Sequence, residues 1–68
     1  MEAFTFDVPG MSCGHCKQAV EAEVGDVPGV VAVTVDLDAK EVVVRGRGLD
    51  GAVLVAAIDA AGYHASAR

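Results

Sequence analysis

Cys13 and Cys16 are the side chains whose type and spacing together specify chemistry, in the run Gly10-Met11-Ser12-Cys13-Gly14-His15-Cys16. Two thiols separated by two residues can bend toward one ion, and Gly14 in the spacer eases the bend. Only the thiolate ligates metal. Cys16 falls where a helix should begin, and the unpaired amides of a first turn favour negative charge, so its thiol pKa is expected to be lowered. Cys13, at the end of the loop, is expected to be the more exposed and mobile of the pair. Two thiolates with no third obvious ligand favour a soft, low-coordinate ion, for which Cu(I) is the physiological candidate.

Other chemistries use the same two cysteines. Cys-Gly-His-Cys also serves as a thiol-disulfide tetrad, but a thioredoxin-like domain is longer than this chain and usually carries tryptophan where Ser12 stands. Structural zinc normally wants four protein ligands, and Cys13, Cys16, His15 and His64 count to four only with strain, because His15 lies between the cysteines. A c-type haem needs histidine directly after the second cysteine, where this sequence has Lys17. Plain packing as a small hydrophobe suits Cys16 in part, but not Cys13 in a glycine-containing loop.

The loop has to be held by something. Phe4-Thr5-Phe6-Asp7-Val8 alternates apolar and polar residues, the period of a half-buried strand, and Pro9-Gly10 ends it. From Gly14 to about Val24, Cys16, Val20 and Val24 recur at helical spacing, with Ser12 expected as N-cap. Val31, Val33, Val35 and Leu37 mark one face of a second strand. Asp38-Ala39-Lys40 is a polar turn, and Val42-Val43-Val44 is a third strand pairing with the second as a hairpin. Asp50 should cap a second helix that buries Val53, Leu54, Ala57, Ile58 and Ala61, with Gly62 in the left-handed position beyond its end. Tyr63 to Ala67 leaves room for one weak strand. The order gives an α+β, ferredoxin-like βαββαβ sandwich: a four-stranded antiparallel sheet with both helices on one face.

Size and charge narrow the function. The 68 residues make one domain, 1–68, near the lower limit for an unaided core, and 53% of them are hydrophobic. Ten acidic against five basic residues give a net charge of -5, so no nucleic-acid role is expected: little here could neutralise a phosphate backbone. The start, Met1 to Asp7, has acids and no base, unlike a secretory signal, and the longest apolar run, Ala52 to Ile58, is far short of the ~20 residues of a membrane span. A cytoplasmic chain without direct membrane insertion is expected, in which a close cysteine pair indicates metal or redox chemistry rather than a staple.

With loop and elements in place, the sequence resembles the heavy-metal-associated (HMA) domain, most closely as found in small bacterial copper chaperones that hand Cu(I) to copper-transporting P-type ATPases. The likeness runs from Phe4 to Ala67 and includes the Val27-Pro28-Gly29-Val30 turn and the Ala61-Gly62-Tyr63 ending of the second helix. It implies near-linear Cu(I) held by Cys13 and Cys16, Met11 pointing into the core to anchor the loop, and Tyr63 beside the metal site. His15 matches a histidine that modulates thiol acidity or approaches the metal in oligomers; the plain alternative is a solvated residue. Ser12 replaces the aspartate that zinc- and cadmium-exporting relatives often place before the first cysteine, which favours a monovalent ion. Mercury-scavenging relatives share the loop but are exported.

The resemblance also implies partners: the metal-binding domain of a copper-transporting ATPase and, since two exposed loops offer four thiolates, a metal-bridged homodimer. A regulatory domain of a transport ATPase and a thiol-disulfide protein are the alternatives. The start at Met1 and the end at Arg68 argue for an independent product.

Overall fold

The computed structural model describes residues 1–67; Arg68, the last residue of the expected domain, lies outside them. The elements are β1 (Glu2–Asp7), α1 (Gly14–Gly25), β2 (Val30–Asp36), β3 (Glu41–Gly46), α2 (Gly51–Ala60) and β4 (Ser66–Ala67). The strands form one sheet in the order β2-β3-β1-β4, every neighbouring pair antiparallel. This is the ferredoxin-like plan read from the sequence.

Register explains which residues are inside. Phe6 lies opposite Val42 and Val42 opposite Val35; Phe4 lies opposite Val44 and Val44 opposite Val33. These cross-strand rows share one face, while Thr5, Val43 and Thr34 form a row on the other. Cys16, Val20 and Val24, one helical turn apart on α1, join Leu54 and Ile58 of α2 in the same buried cluster as Phe6, Val35, Val42 and Val44. Both helices therefore cover one face of the sheet.

Three details depart from the sequence reading. Val31 is 64% exposed rather than inward, because a bulge between Val30 and Ala32 inserts it as an extra residue and shifts the alternation. Beside the bulge the two backbones approach closely: the Arg47 amide donates to the Gly29 carbonyl at 2.9 Å, and a Cβ on Gly46 would collide with that same carbonyl. Val53 is 47% exposed, leaving Leu54 and Ile58 as the fully buried side chains of α2. The last strand is only Ser66–Ala67, paired with the end of β1.

Candidate metal centre

The loop from β1 to α1 is held at its base before any cysteine is reached. The Val8 amide donates to the Lys40 carbonyl at 2.8 Å, and the Met11 amide donates to the Val8 carbonyl at 3.1 Å, closing a turn over Pro9-Gly10. Val8 and Met11 are both fully buried, so the turn is sunk into the core at each end. Met11 thus sits where core packing of a lone methionine predicts. Its carbonyl accepts a further hydrogen bond, at 2.8 Å, from the Lys40 ammonium.

The helix cap corrects one expectation. Cys13, not Ser12, is the N-cap of α1: its backbone is extended at φ -150°, its side chain makes no capping bond, and its carbonyl accepts from the Lys17 amide at 3.2 Å. Ser12 lies one position too early for its hydroxyl to cap, and it is exposed. Starting the helix at Gly14 places Cys13 at the rim, exposed, and Cys16 against the core, buried. The two free thiols stand side by side with their sulfurs 3.2 Å apart.

Tyr63 arrives from the far end of the chain through the ending of α2. Gly62 adopts φ +95°, its amide donates to the Asp59 carbonyl at 2.9 Å, and the Tyr63 amide donates to the Ile58 carbonyl at 3.3 Å. These two bonds with a left-handed glycine between them are a Schellman ending, which fixes the direction of the residue that follows. The Tyr63 hydroxyl then donates to the Cys16 sulfur at 2.8 Å.

The electrostatics follow from these donors. The Cys16 thiol is lowered from 9.0 to about 6, first by the Ser12 backbone amide, then by the Tyr63 hydroxyl and the Cys13 thiol, with a smaller share from the Cys13 amide; burial opposes them. The Tyr63 phenol is raised in turn, chiefly by its bond to Cys16, then by burial and by the charge of the two cysteines. Cys16 is acidic as its position suggested, but the donors are loop amides and a tyrosine rather than the first turn of the helix.

The remaining candidates lie elsewhere. His15 and His64 are exposed and Lys17 is half-buried on α1. Among the described residues no group of three or more His, Cys, Asp and Glu converges, so the four-ligand set counted for zinc does not assemble. What the site offers is two soft sulfurs, one under Tyr63 and the other open to solvent. Such a pair can hold a soft ion while leaving a side free for an incoming ligand. Lys40 was missed by sequence reading. The available signal was indirect, since only the pairing of β1 with β3 carries that turn to the base of the loop.

A four-stranded antiparallel sheet covered by two helices, with a cysteine pair where the first strand enters the first helix, defines a small soft-metal-binding class of domain. The chain belongs to the heavy-metal-associated domain family, whose model matches residues 5–64. It is 55% identical over 42 residues to the copper chaperone CopZ of Bacillus subtilis (strain 168), a match covering 62% of this chain and 61% of that protein, so it spans somewhat under two thirds of that relative. Among solved structures it is similar to a CopZ metallochaperone, with TM-score 0.90 and 33% identity over 96% of this chain and 100% of the other. It is also similar to a copper-binding domain from the P-type ATPase HMA7, with TM-score 0.94 and 27% identity over 100% of this chain and 95% of that one. Among the described residues no helix is long and apolar enough to cross a membrane.

Proposed function

We propose that this domain is a cytoplasmic carrier of Cu(I), which is its cargo, and that it catalyses no covalent reaction on an organic substrate. The carrying observation is the asymmetric thiol pair: acidic, buried Cys16 and exposed Cys13, with sulfurs 3.2 Å apart. Two thiolates satisfy a d¹⁰ monovalent ion at low coordination, and Tyr63 stabilises the inner one by donating to it. Transfer proceeds by ligand exchange. A thiolate of the partner's own cysteine pair adds to the ion from the Cys13 side, a three-coordinate bridged species forms, and one of the original sulfurs departs. Copper stays Cu(I) throughout, and each proton lost by an entering thiol is matched by one taken up by a departing thiolate. The likeness to CopZ chaperones and to an ATPase copper-binding domain supports a copper-transporting ATPase as recipient.

Anaerobic titration with Cu(I) and Zn(II) against competing chelators tests the reading, repeated on Cys13→Ser and Cys16→Ser. Cu(I) should win in the wild type, and each variant should lose strong binding. Zinc winning under matched buffering, or either variant binding Cu(I) as the wild type does, would overturn the assignment. Sedimentation of the loaded protein tests the metal-bridged homodimer, which should appear when copper is limiting. A second reading, a metal-binding domain of a heavy-metal transport ATPase, is favoured by the similarity to HMA7 and requires a longer polypeptide in cells. A dithiol-disulfide turnover assay separates both from a redox protein, because a carrier should show negligible activity.

A further inference from the structure

Lys40 touches the metal loop twice. Its carbonyl accepts from the Val8 amide and its ammonium donates to the Met11 carbonyl, each at 2.8 Å, so one residue of the β2–β3 turn brackets both ends of the Val8–Met11 turn. The second bond joins residues 29 apart in sequence and is partly buried. A charge-assisted bond in such surroundings holds its acceptor more firmly than a neutral one in water.

The acceptor matters because of what shares its peptide group. The Met11 carbonyl and the Ser12 amide belong to one planar trans unit, so fixing the oxygen fixes the direction of the N–H. The Ser12 amide is among the groups that lower the Cys16 thiol. Drawing electron density toward the carbonyl oxygen also makes the same N–H a stronger donor.

The backbone gives no reason for lysine at this place. Lys40 adopts φ 55°, the left-handed region, where glycine would make the turn at lower cost. What lysine adds there is the long cationic arm that reaches Met11.

We propose that Lys40 is a positioning residue for the metal loop: its ammonium, bonded to the Met11 carbonyl, fixes the orientation of the Met11–Ser12 peptide from which Cys13 follows. The consequence for copper retention rests on the Cu(I)-carrier reading; the consequence for the loop does not.

Three variants test it. Lys40→Met keeps the length of the side chain without a donor, Lys40→Gly removes the side chain while suiting the turn, and Lys40→Arg keeps a cationic donor. In the metal-free protein, NMR should show the Met11 carbonyl and Ser12 amide resonances shifted in the Met and Gly variants and near their wild-type positions in the Arg variant. Retention of Cu(I) against bicinchoninate should fall about tenfold in the Met and Gly variants, the scale of one lost charge-assisted bond, and return with Arg. Retention in Lys40→Met and Lys40→Gly should fall by more than their urea midpoints account for, which a merely structural role would not allow. Unmoved Met11 and Ser12 resonances, or retention that falls only in step with the urea midpoint and is not restored by Arg, would overturn the proposal. If the wild type itself fails to compete for Cu(I), the carrier reading falls, while the two resonances still decide the role of Lys40.

Discussion

At the residue scale, the site is an arrangement of donors around one sulfur. With its pKa lowered to about 6, the Cys16 thiol is largely ionised at neutral pH before any metal arrives. Tyr63→Phe removes one of those donors and leaves the ring. The pH midpoint for alkylation of Cys16 should therefore rise above about 6. Stability carries the same signature. The folded-state pKa lies below the 9.0 of an unperturbed thiol, so ionised Cys16 contributes stability that is present above about 9 and lost as the pH falls through about 6. The urea midpoint of the metal-free protein should fall between pH 9 and pH 5 by more than that of Cys16→Ser; equal slopes would count against the assignment. The cysteine pair was legible because its pattern is local. The donors were less so: Tyr63 lies 47 residues from Cys16 and reaches the site in the sequence only through the family resemblance, while Lys40 lies 29 from Met11 and only the folded register reveals that contact.

At the element scale, helix ends and strand register do the positioning. Asp50 was readable as a cap, and its carboxylate accepts from the Ala52 amide at 2.9 Å. Ser12 was misread as one because loop and helix abut there without a side-chain cap. The phase of β2 differs from the sequence reading because the bulge at Val31 is defined by pairing with distant β3 and leaves no trace in alternation. The Schellman ending of α2 has the clearest consequence for the site. Gly62 has open space around it, so Gly62→Ala is opposed only by its φ of +95° and should cost about 1–2 kcal/mol in urea unfolding. Because the same turn aims Tyr63, this variant should also raise the Cys16 alkylation midpoint. Gly25→Ala is the control: nothing lies within 4 Å of a Cβ there, and the residue is helical, at the end of α1 away from the loop. It should leave that midpoint in place while stabilising the fold by roughly 0.5–1 kcal/mol.

At the scale of the whole molecule, one core and one charge distribution serve one loop. Three of the ten acids share one end of the sheet. Asp7 lies opposite Glu41, and Glu41 opposite Asp36, so three carboxylates line up across the end of the sheet from which the loop departs. A partner with a basic rim around its own cysteine pair would be drawn to this end, and attraction of that kind acts on encounter rate more than on final affinity. Salt shortens its reach, from ~20 Å at low ionic strength to a few ångströms at high. Stopped-flow transfer of Cu(I) to a two-cysteine acceptor domain with a basic surface should therefore slow several-fold between about 20 and 500 mM salt, with the equilibrium partition of copper little changed. Asp7→Asn/Glu41→Gln should flatten that dependence and leave copper retention intact, because neither residue supplies a ligand. A transfer rate indifferent to salt would mean that docking is governed by the thiolates alone. The net charge of -5 would then bear on solubility and not on recognition.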